Sequence, residues 1–476
     1  MDRTKYLVTN TAILFVSNFA SKMLVFFLLP LYTSVLSPAD FGISDLITTT
    51  ANLLYMFLTL QVSHGIIRFT MDKATDSNEM LGMGLVFTVL SSIIVTGASA
   101  AARWLDVFPV MNQYYLYLVL IYFFHCLAMV LGACAKGREQ IRLIGIVGIA
   151  TTAIRVFLNI LLLVVIPLGL RGFLAATALS YVASCSLLLV GGVLKGTRWT
   201  LPSRPVFLKA VKYSAPIAAT EVGWLICTSS DKYIVSWLLG ASATGIISAA
   251  HRLPTILTAF TSVFIQAWTL SAIKESDKKD KARYYSRMFD YYNSFAISAG
   301  AVLILSAKLI GEFLFRGDFS VAWIYTPIYL TALVVNTMAS FAGSIISAGT
   351  DTRALFTSTG TGAVVNVALD ILLIKWWGIF GAGIATALSY ALIGIMRMRY
   401  VRKDMALAID YGRMLPSIAM LSVLTWSMIL GTRGLPLAAS ISLVCAILVV
   451  NRTRLSDIFS MLLKTLFRRK PKAGAA

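Results

Sequence analysis

Charge is scarce in this sequence. Only 13% of its 476 residues are Asp, Glu, Lys or Arg, about half the ~25% of a soluble chain. Another 58% are hydrophobic, with a mean hydropathy of +0.80. A soluble multidomain enzyme is excluded, because too little polar surface remains to coat it. Disorder is excluded too, since unfolded chains are poor in apolar residues and rich in charge. The five cysteines (Cys126, Cys134, Cys185, Cys227 and Cys445) all lie in apolar stretches and form no CxxC pair, and only three histidines accompany them. That pattern indicates neither a disulfide nor a metal site, and no cofactor is expected.

Acidic residues are the scarcer sign: 21 Asp and Glu against 41 Lys and Arg, a net charge of +20. The basic residues cluster briefly between apolar runs, and no loop long enough to fold interleaves them with aromatics. They therefore read as topology signals and contacts to anionic membrane lipids rather than to nucleic acid.

What the chain has in abundance is long apolar runs. A spanning helix needs about 20 such residues. Fourteen stretches qualify: 9–32, 41–64, 82–102, 114–135, 143–166, 172–194, 213–235, 244–270, 288–315, 323–348, 354–376, 379–400, 413–431 and 435–450. The expected fold class is an all-α polytopic membrane protein. With the N-terminus cytoplasmic, 31 basic residues fall on the inner side and seven on the outer. That places both termini in the cytoplasm. Residues 455–470 put Leu455, Ile458, Phe459, Leu462, Leu463 and Leu466 on one face, and read as a basic amphipathic helix on the inner leaflet.

The sequence also repeats. Ala176-Thr177-Ala178-Leu179-Ser180-Tyr181 recurs as Ala385-Thr386-Ala387-Leu388-Ser389-Tyr390, and Gly169 and Gly172 match Gly378 and Gly381 at the same offset. Both copies open an even-numbered span. This predicts two pseudo-symmetric six-helix bundles, 1–200 and 201–405, with a substrate path between them. Two further spans (406–452) and a basic tail (453–476) complete the chain.

Charges at mid-membrane are costly and should face a cavity or a partner. Lys22, Arg155 and Arg252, with Arg68 nearer the cytoplasm, outnumber Glu221 and Asp370. Polar stripes on several spans add Asn52, Asn159, Trp224 and Gln266. A cationic cleft of this kind suits a phosphate-bearing ligand, because arginine offers a planar fork of donors. The alternative is internal ion pairing, for example Arg155 with Glu221 or Arg252 with Asp370. Glu221, Asp370, His251 and Asp45 are candidates for ion pairing or for coupling to a cation. Asp231 and Lys232 read as a salt-bridged helix end or as part of an outer gate. Pro30 and Pro254 interrupt their spans, as hinges or as static kinks.

Several segments resemble a known family. Leu29-Pro30-Leu31-Tyr32, Leu36-Ser37-Pro38-Ala39-Asp40-Phe41-Gly42, Ser230-Asp231-Lys232-Tyr233-Ile234, Gly245-Ile246-Ile247-Ser248, Gln266-Ala267-Trp268 and Gly378-Ile379-Phe380-Gly381-Ala382-Gly383 stand in the order and spacing of polysaccharide transporters. The resemblance, over about residues 5–405, is to the O-antigen flippase branch of the multidrug/oligosaccharidyl-lipid/polysaccharide exporter superfamily. Lys232 stands where that family often has arginine. The resemblance implies a non-enzymatic flippase of the bacterial cytoplasmic membrane. Its cargo would be a polyprenyl-diphosphate-linked glycan serving O-antigen, capsule or similar surface polysaccharides, moved by alternating access. Pathway glycosyltransferases and a polymerase would be partners, and a monomer would suffice because the repeat supplies both bundles. Two other functions stay open: a cation-coupled multidrug exporter of the same superfamily, and a membrane polysaccharide polymerase or ligase. The second lacks the long outer loop with paired carboxylates that such chemistry needs.

Overall fold

A computed structural model of the protein describes residues 23–24, 26–71, 77–106, 112–197, 200–275, 280–348, 352–431 and 434–467, and all regular structure among them is helical. The first part of the chain forms α1 (Leu29–Val35), α2 (Pro38–Leu58), α3 (Val62–Thr70), α4 (Ser77–Trp104), α5 (Tyr115–Gly137), α6 (Ile141–Ile160), α7 (Gly169–Val190), α8 (Arg204–Leu239) and α9 (Ala241–Ala250). There follow α10 (Pro254–Glu275), α11 (Lys281–Leu305), α12 (Ala307–Leu314), α13 (Ala322–Ala348), α14 (Thr352–Trp377), α15 (Ile379–Asp404), α16 (Tyr411–Leu430) and α17 (Leu437–Phe467). Eleven segments among the described residues are long and apolar enough to cross a bilayer. The protein is thus an all-α polytopic membrane protein.

Three of the fourteen expected stretches are not among those eleven. Most of residues 9–32 fall outside the described residues. Stretch 213–235 lies within α8, which carries Glu221, Asp231 and Lys232 along its length. Stretch 244–270 is divided at His251–Leu253 into α9 and α10, with Pro254 opening the second helix. A proline has no N–H to give and is tolerated in a helix's first turn, so the break sits just before it. Pro30 likewise occupies the first turn of α1.

Stretch 41–64 also divides. Helix α2 ends at Leu58, Leu60 and Gln61 take left-handed φ of 49° and 51°, and α3 begins at Val62. No glycine or proline marks this break. A buried polar contact lies across it, where the Tyr55 hydroxyl donates to Ser63 Oγ at 2.9 Å. Stretch 435–450 and the amphipathic segment after it are one continuous helix, α17.

The start of α2 explains the Ser37-Pro38-Ala39-Asp40 motif. Ser37 is an extended N-cap whose Oγ accepts the Asp40 N–H at 3.1 Å, while Pro38 fills the first turn and Asp40 faces the helix's positive end. The repeat has a backbone reason. Gly169 and Gly378 both adopt left-handed φ, +55° and +57°. A Cβ on Gly172 would meet Leu162 O at 2.6 Å, and one on Gly381 would meet Leu373 O at 2.1 Å. Each copy is a tight turn after which a helix lies directly against the end of the preceding one.

By contacts, the chain forms two compact units. The first comprises Met1–Arg252, Glu312–Ala322 and Thr359–Ala382, and the second Leu253–Gly311, Trp323–Ser358 and Gly383–Ala476. In the first unit Ile47, Tyr55, Tyr122, Cys126 and Leu174 form one buried cluster, and Ile66, Met80, Met83, Val130 and Ala210 form another. Four of the five cysteines are buried, as small apolar fillers would be, and Cys445 is exposed. The second unit centres on aromatics, with Trp268 stacked on Phe341 at 4.6 Å and Phe264 on Tyr292 at 4.7 Å.

Helices α16 and α17 are tied into the second unit by polar side chains. Asp290 of α11 accepts from Arg413 of α16 and Arg454 of α17, both at 3.2 Å, and the neighbouring Tyr291 hydroxyl donates to Asp457 at 3.1 Å. Asp290 and Arg413 are 12% and 13% exposed, so removing the carboxylate takes the shared partner from two guanidiniums and leaves Arg413 only Asp410, at 3.5 Å. Asp290→Ala should therefore cost roughly 3 kcal/mol. Thermal unfolding in detergent tests this, and an unchanged midpoint would contradict it.

Candidate functional site: a membrane-embedded charge cluster

The first unit gathers most of the expected charged residues. Asp45 of α2 is the hub. Its carboxylate meets Lys232 Nζ of α8 at 2.7 Å and Arg252 Nη2 at 3.1 Å, and accepts the Ser248 hydroxyl of α9 at 2.9 Å. Two cations thus share one carboxylate. The approach of α2 to α9 that permits this is set by two glycines. A Cβ on Gly42 would lie 2.3 Å from Ala241 O, and one on Gly245 would lie 1.8 Å from Pro38 O.

Beside the hub, Asp231 is buried. It accepts the Lys232 backbone N–H at 2.8 Å and faces His251 Nε2 at 3.5 Å. Lys232 stands two turns before the end of α8 and pairs with α2, so it links two helices rather than closing one. One residue earlier, the Ser230 hydroxyl lies 2.9 Å from Asn366 Oδ1 and 3.0 Å from Asp370 Oδ2, both fully buried on α14. Asp370 Oδ1 and Asn366 Nδ2 have no hydrogen-bond partner among the described residues. Arg252 thus pairs with Asp45 and not with Asp370.

Arg155 of α6 is treated differently. Its Nε donates to Ser180 Oγ at 3.0 Å, and its guanidinium lies over the Tyr181 ring at 5.2 Å. Among the described residues no carboxylate comes within ion-pairing distance, Glu221 included, which is exposed on α8. A membrane-embedded cation is held here by neutral groups alone. Asn159, one turn on, donates to the Arg155 carbonyl at 2.7 Å, and its own Oδ1 finds no partner.

Aromatic rings extend from both arginines. Tyr181 leads to His125 at 5.0 Å and on to Tyr55 at 5.1 Å, so His125 packs edge-on between two tyrosines. Arg252 lies over Phe41 at 5.6 Å, followed by Tyr32 and Phe173. Tyr32 is close enough to feel both guanidinium charges.

Of the other expected residues, Arg68 is exposed on α3, while Asn52 and Trp224 are half-buried on α2 and α8. Lys22 and the side chain of Gln266 lie outside the described residues. Sequence reasoning passed over Tyr181, Tyr32 and Ser230 as functional groups. Each stands in a repeated or family-like segment, which was the available signal. No group of three or more His, Cys, Asp and Glu suited to a metal occurs among the described residues.

Comparison with known proteins places this geometry. A family model described as "Polysaccharide biosynthesis protein" matches residues 7–270, more than half of the chain. The probable low-salt glycan biosynthesis flippase Agl15 of Haloferax volcanii is 22% identical over 243 residues, which are 47% of this chain and 50% of that protein. The chain thus spans about half the length of the curated relative it matches. Among solved structures, the lipid II flippase MurJ in an inward closed conformation superposes with a TM-score of 0.70 at 13% identity, over 95% of this chain and 100% of that one. An inward-facing multidrug resistance MATE family transporter of the MOP superfamily gives 0.63 at 13% identity, over 84% and 95%. At such identities the likeness is one of fold. The match over residues 7–270 carries further: the chain belongs to the polysaccharide biosynthesis protein family.

Proposed function

We propose that this protein is a lipid-linked glycan flippase. It moves a polyprenyl-diphosphate-linked oligosaccharide from the inner to the outer leaflet of the bacterial cytoplasmic membrane by alternating access of a cationic cleft. It breaks and makes no covalent bond. Membership in a polysaccharide biosynthesis family supports the cargo class, and Arg155 is the observation that carries the mechanism. A guanidinium inside a membrane is costly. One that meets, among the described residues, only a serine hydroxyl and a ring keeps most of its five donors for an incoming anion. The diphosphate is that anion, and its prenyl tail stays in lipid.

Arg252 is held by Asp45, so its charge is shared with the protein and is freed for cargo only when that contact loosens. Lys22, Arg68, Asn52, Asn159, Trp224 and Gln266 are the further candidates for contact with the cargo, and Asp231 with Lys232 for an outer gate. Asp370, buried with Ser230 and Asn366 between α8 and α14, carries the coupling cation. Glycosyltransferases that complete the glycan act before this step, and a polymerase acts after it. The buried carboxylates, together with a MATE-like fold, also suit a second reading, a cation-coupled drug exporter.

One experiment separates the two readings. Depletion in the host, followed by mass spectrometry of polyprenyl-diphosphate species with a sidedness probe, should reveal a complete glycan unit on the cytoplasmic leaflet. Altered sensitivity to cationic drugs without that accumulation would favour the exporter. Arg155→Ala and Arg252→Ala should each abolish export while the protein is still made and inserted. Arg252→Lys should retain part of it, by keeping the charge on Asp45. Wild-type export from both alanine variants would overturn the cationic-cleft mechanism.

A further inference from the structure

The second unit contains a cavity that transport, as proposed above, does not use. It lies between α11, α13, α15 and α16 and has a volume of about 390 Å³, within the roughly 300–1,000 Å³ of ligand clefts. Apolar side chains, among them Ile297, Val335, Ile395, Met398, Leu415 and Ile418, supply most of its wall. The amide in that wall, Asn293, is already occupied. Its Nδ2 donates to Phe289 O at 3.1 Å and its Oδ1 accepts from Thr337 at 2.8 Å. Away from Arg399, Arg402 and Tyr411, the groove therefore offers a sugar little but hydrocarbon. Ile395 and Leu415 are 44% and 57% exposed, so its flank is open.

One end is different. Arg399 and Arg402 both border the cavity and are exposed. They stand three residues apart on α15, which puts them side by side on one helix face. The Arg402 guanidinium lies over the Tyr411 ring of α16 at 5.2 Å, so it is braced across the mouth of the groove. These arginines belong to the basic run ending α15, which the charge count assigns to the cytoplasmic side.

We infer that this groove is the seat of a resident anionic glycerophospholipid of the cytoplasmic leaflet. An acyl chain lies along the apolar wall and the headgroup phosphate sits between Arg399 and Arg402. A zwitterionic lipid would fill the groove but bring a cation of its own beside the two arginines, leaving their net charge unanswered. A sugar or a nucleobase would meet a largely apolar wall, with polar groups only at Arg399, Arg402 and Tyr411. The bound chain fills the space between α16 and the three helices it faces, which makes lipid a structural component of the second unit. This inference is independent of the cargo and of Arg155.

The full-length protein, purified in a non-ionic detergent and titrated with phosphatidylglycerol or phosphatidylcholine of identical chains, tests it by native mass spectrometry. Each basic residue beside an anionic headgroup adds roughly a factor of five. One phosphatidylglycerol should therefore be retained about 25-fold better than phosphatidylcholine. In Arg399→Gln/Arg402→Gln that preference should fall to about one, and Ile395→Trp, which fills the groove and leaves the charges alone, should displace both lipids. A wild-type protein without headgroup preference would overturn the inference. So would retention of phosphatidylglycerol by Ile395→Trp, or displacement of it by an equal concentration of polyprenyl monophosphate, which would give the groove to the cargo.

Discussion

An Asp45→Ala variant is expected to lose about 3–5 kcal/mol of stability, a large share of the 5–15 kcal/mol typical of a folded protein. The reason is local. Lys232 is 13% exposed and meets Asp45 at 2.7 Å, and Arg252 meets the same carboxylate at 3.1 Å. Without Asp45, Lys232 and Arg252 both lose the carboxylate they share. Thermal unfolding and monodispersity in detergent should both deteriorate. The second-site variant Asp45→Ala/Lys232→Met should recover part of the loss, because it removes one of the two cations that shared the carboxylate. A single Asp45→Ala variant as stable as wild type would show that the pair contributes little.

The second large effect is steric. Gly245→Ala places a methyl group 1.8 Å from the Pro38 carbonyl oxygen, and real Cβ contacts essentially never fall below 3.0 Å. No flexible side chain is available to yield, because the obstacle is backbone. Helices α2 and α9 must separate, and with them the Ser248–Asp45 and Arg252–Asp45 contacts. Folded protein should be lost from the membrane fraction, with no transport from what survives. Gly97→Ala is the control. It lies in α4 with no neighbouring atom within 4 Å, and should be neutral or stabilising by about 0.5–1 kcal/mol. Equal yields from both variants would disprove the close crossing.

Much of the fold is legible because hydrocarbon thickness leaves its mark on sequence. Among the described residues every apolar stretch of the right length meets a helix, and Pro254 marks the break that follows α9. The turn at Leu60–Gln61 is different, since neither residue favours a left-handed backbone and only packing around Tyr55 and Ser63 requires it. The site follows the same division. Polar stripes flag Asp45, Asp231, Arg155, Arg252 and Asp370 as residues that need company. They do not say which company, because partners some 200 positions apart are chosen by helix packing. Arg252 is paired with Asp45 because Gly42 and Gly245 bring α2 onto α9. Arg155 is next to Ser180 and Tyr181 because α6 and α7 are joined by the tight turn at Gly169. The matched glycines do carry their meaning in sequence, as a duplicated left-handed turn.

The long reach of the Asp45 cluster bears on how the protein is made. Asp45 and Arg252 are separated by 207 residues. At about 5–20 residues per second, a ribosome needs roughly 10–40 s to go from one to the other. Throughout that time a carboxylate that costs about 2.5–3.5 kcal/mol to insert waits in a nascent helix for partners not yet synthesised. Biogenesis of the first unit therefore cannot finish span by span. Its early helices must be held, by the insertion machinery or at the bilayer edge, until α8 and α9 arrive and the charges close on one another.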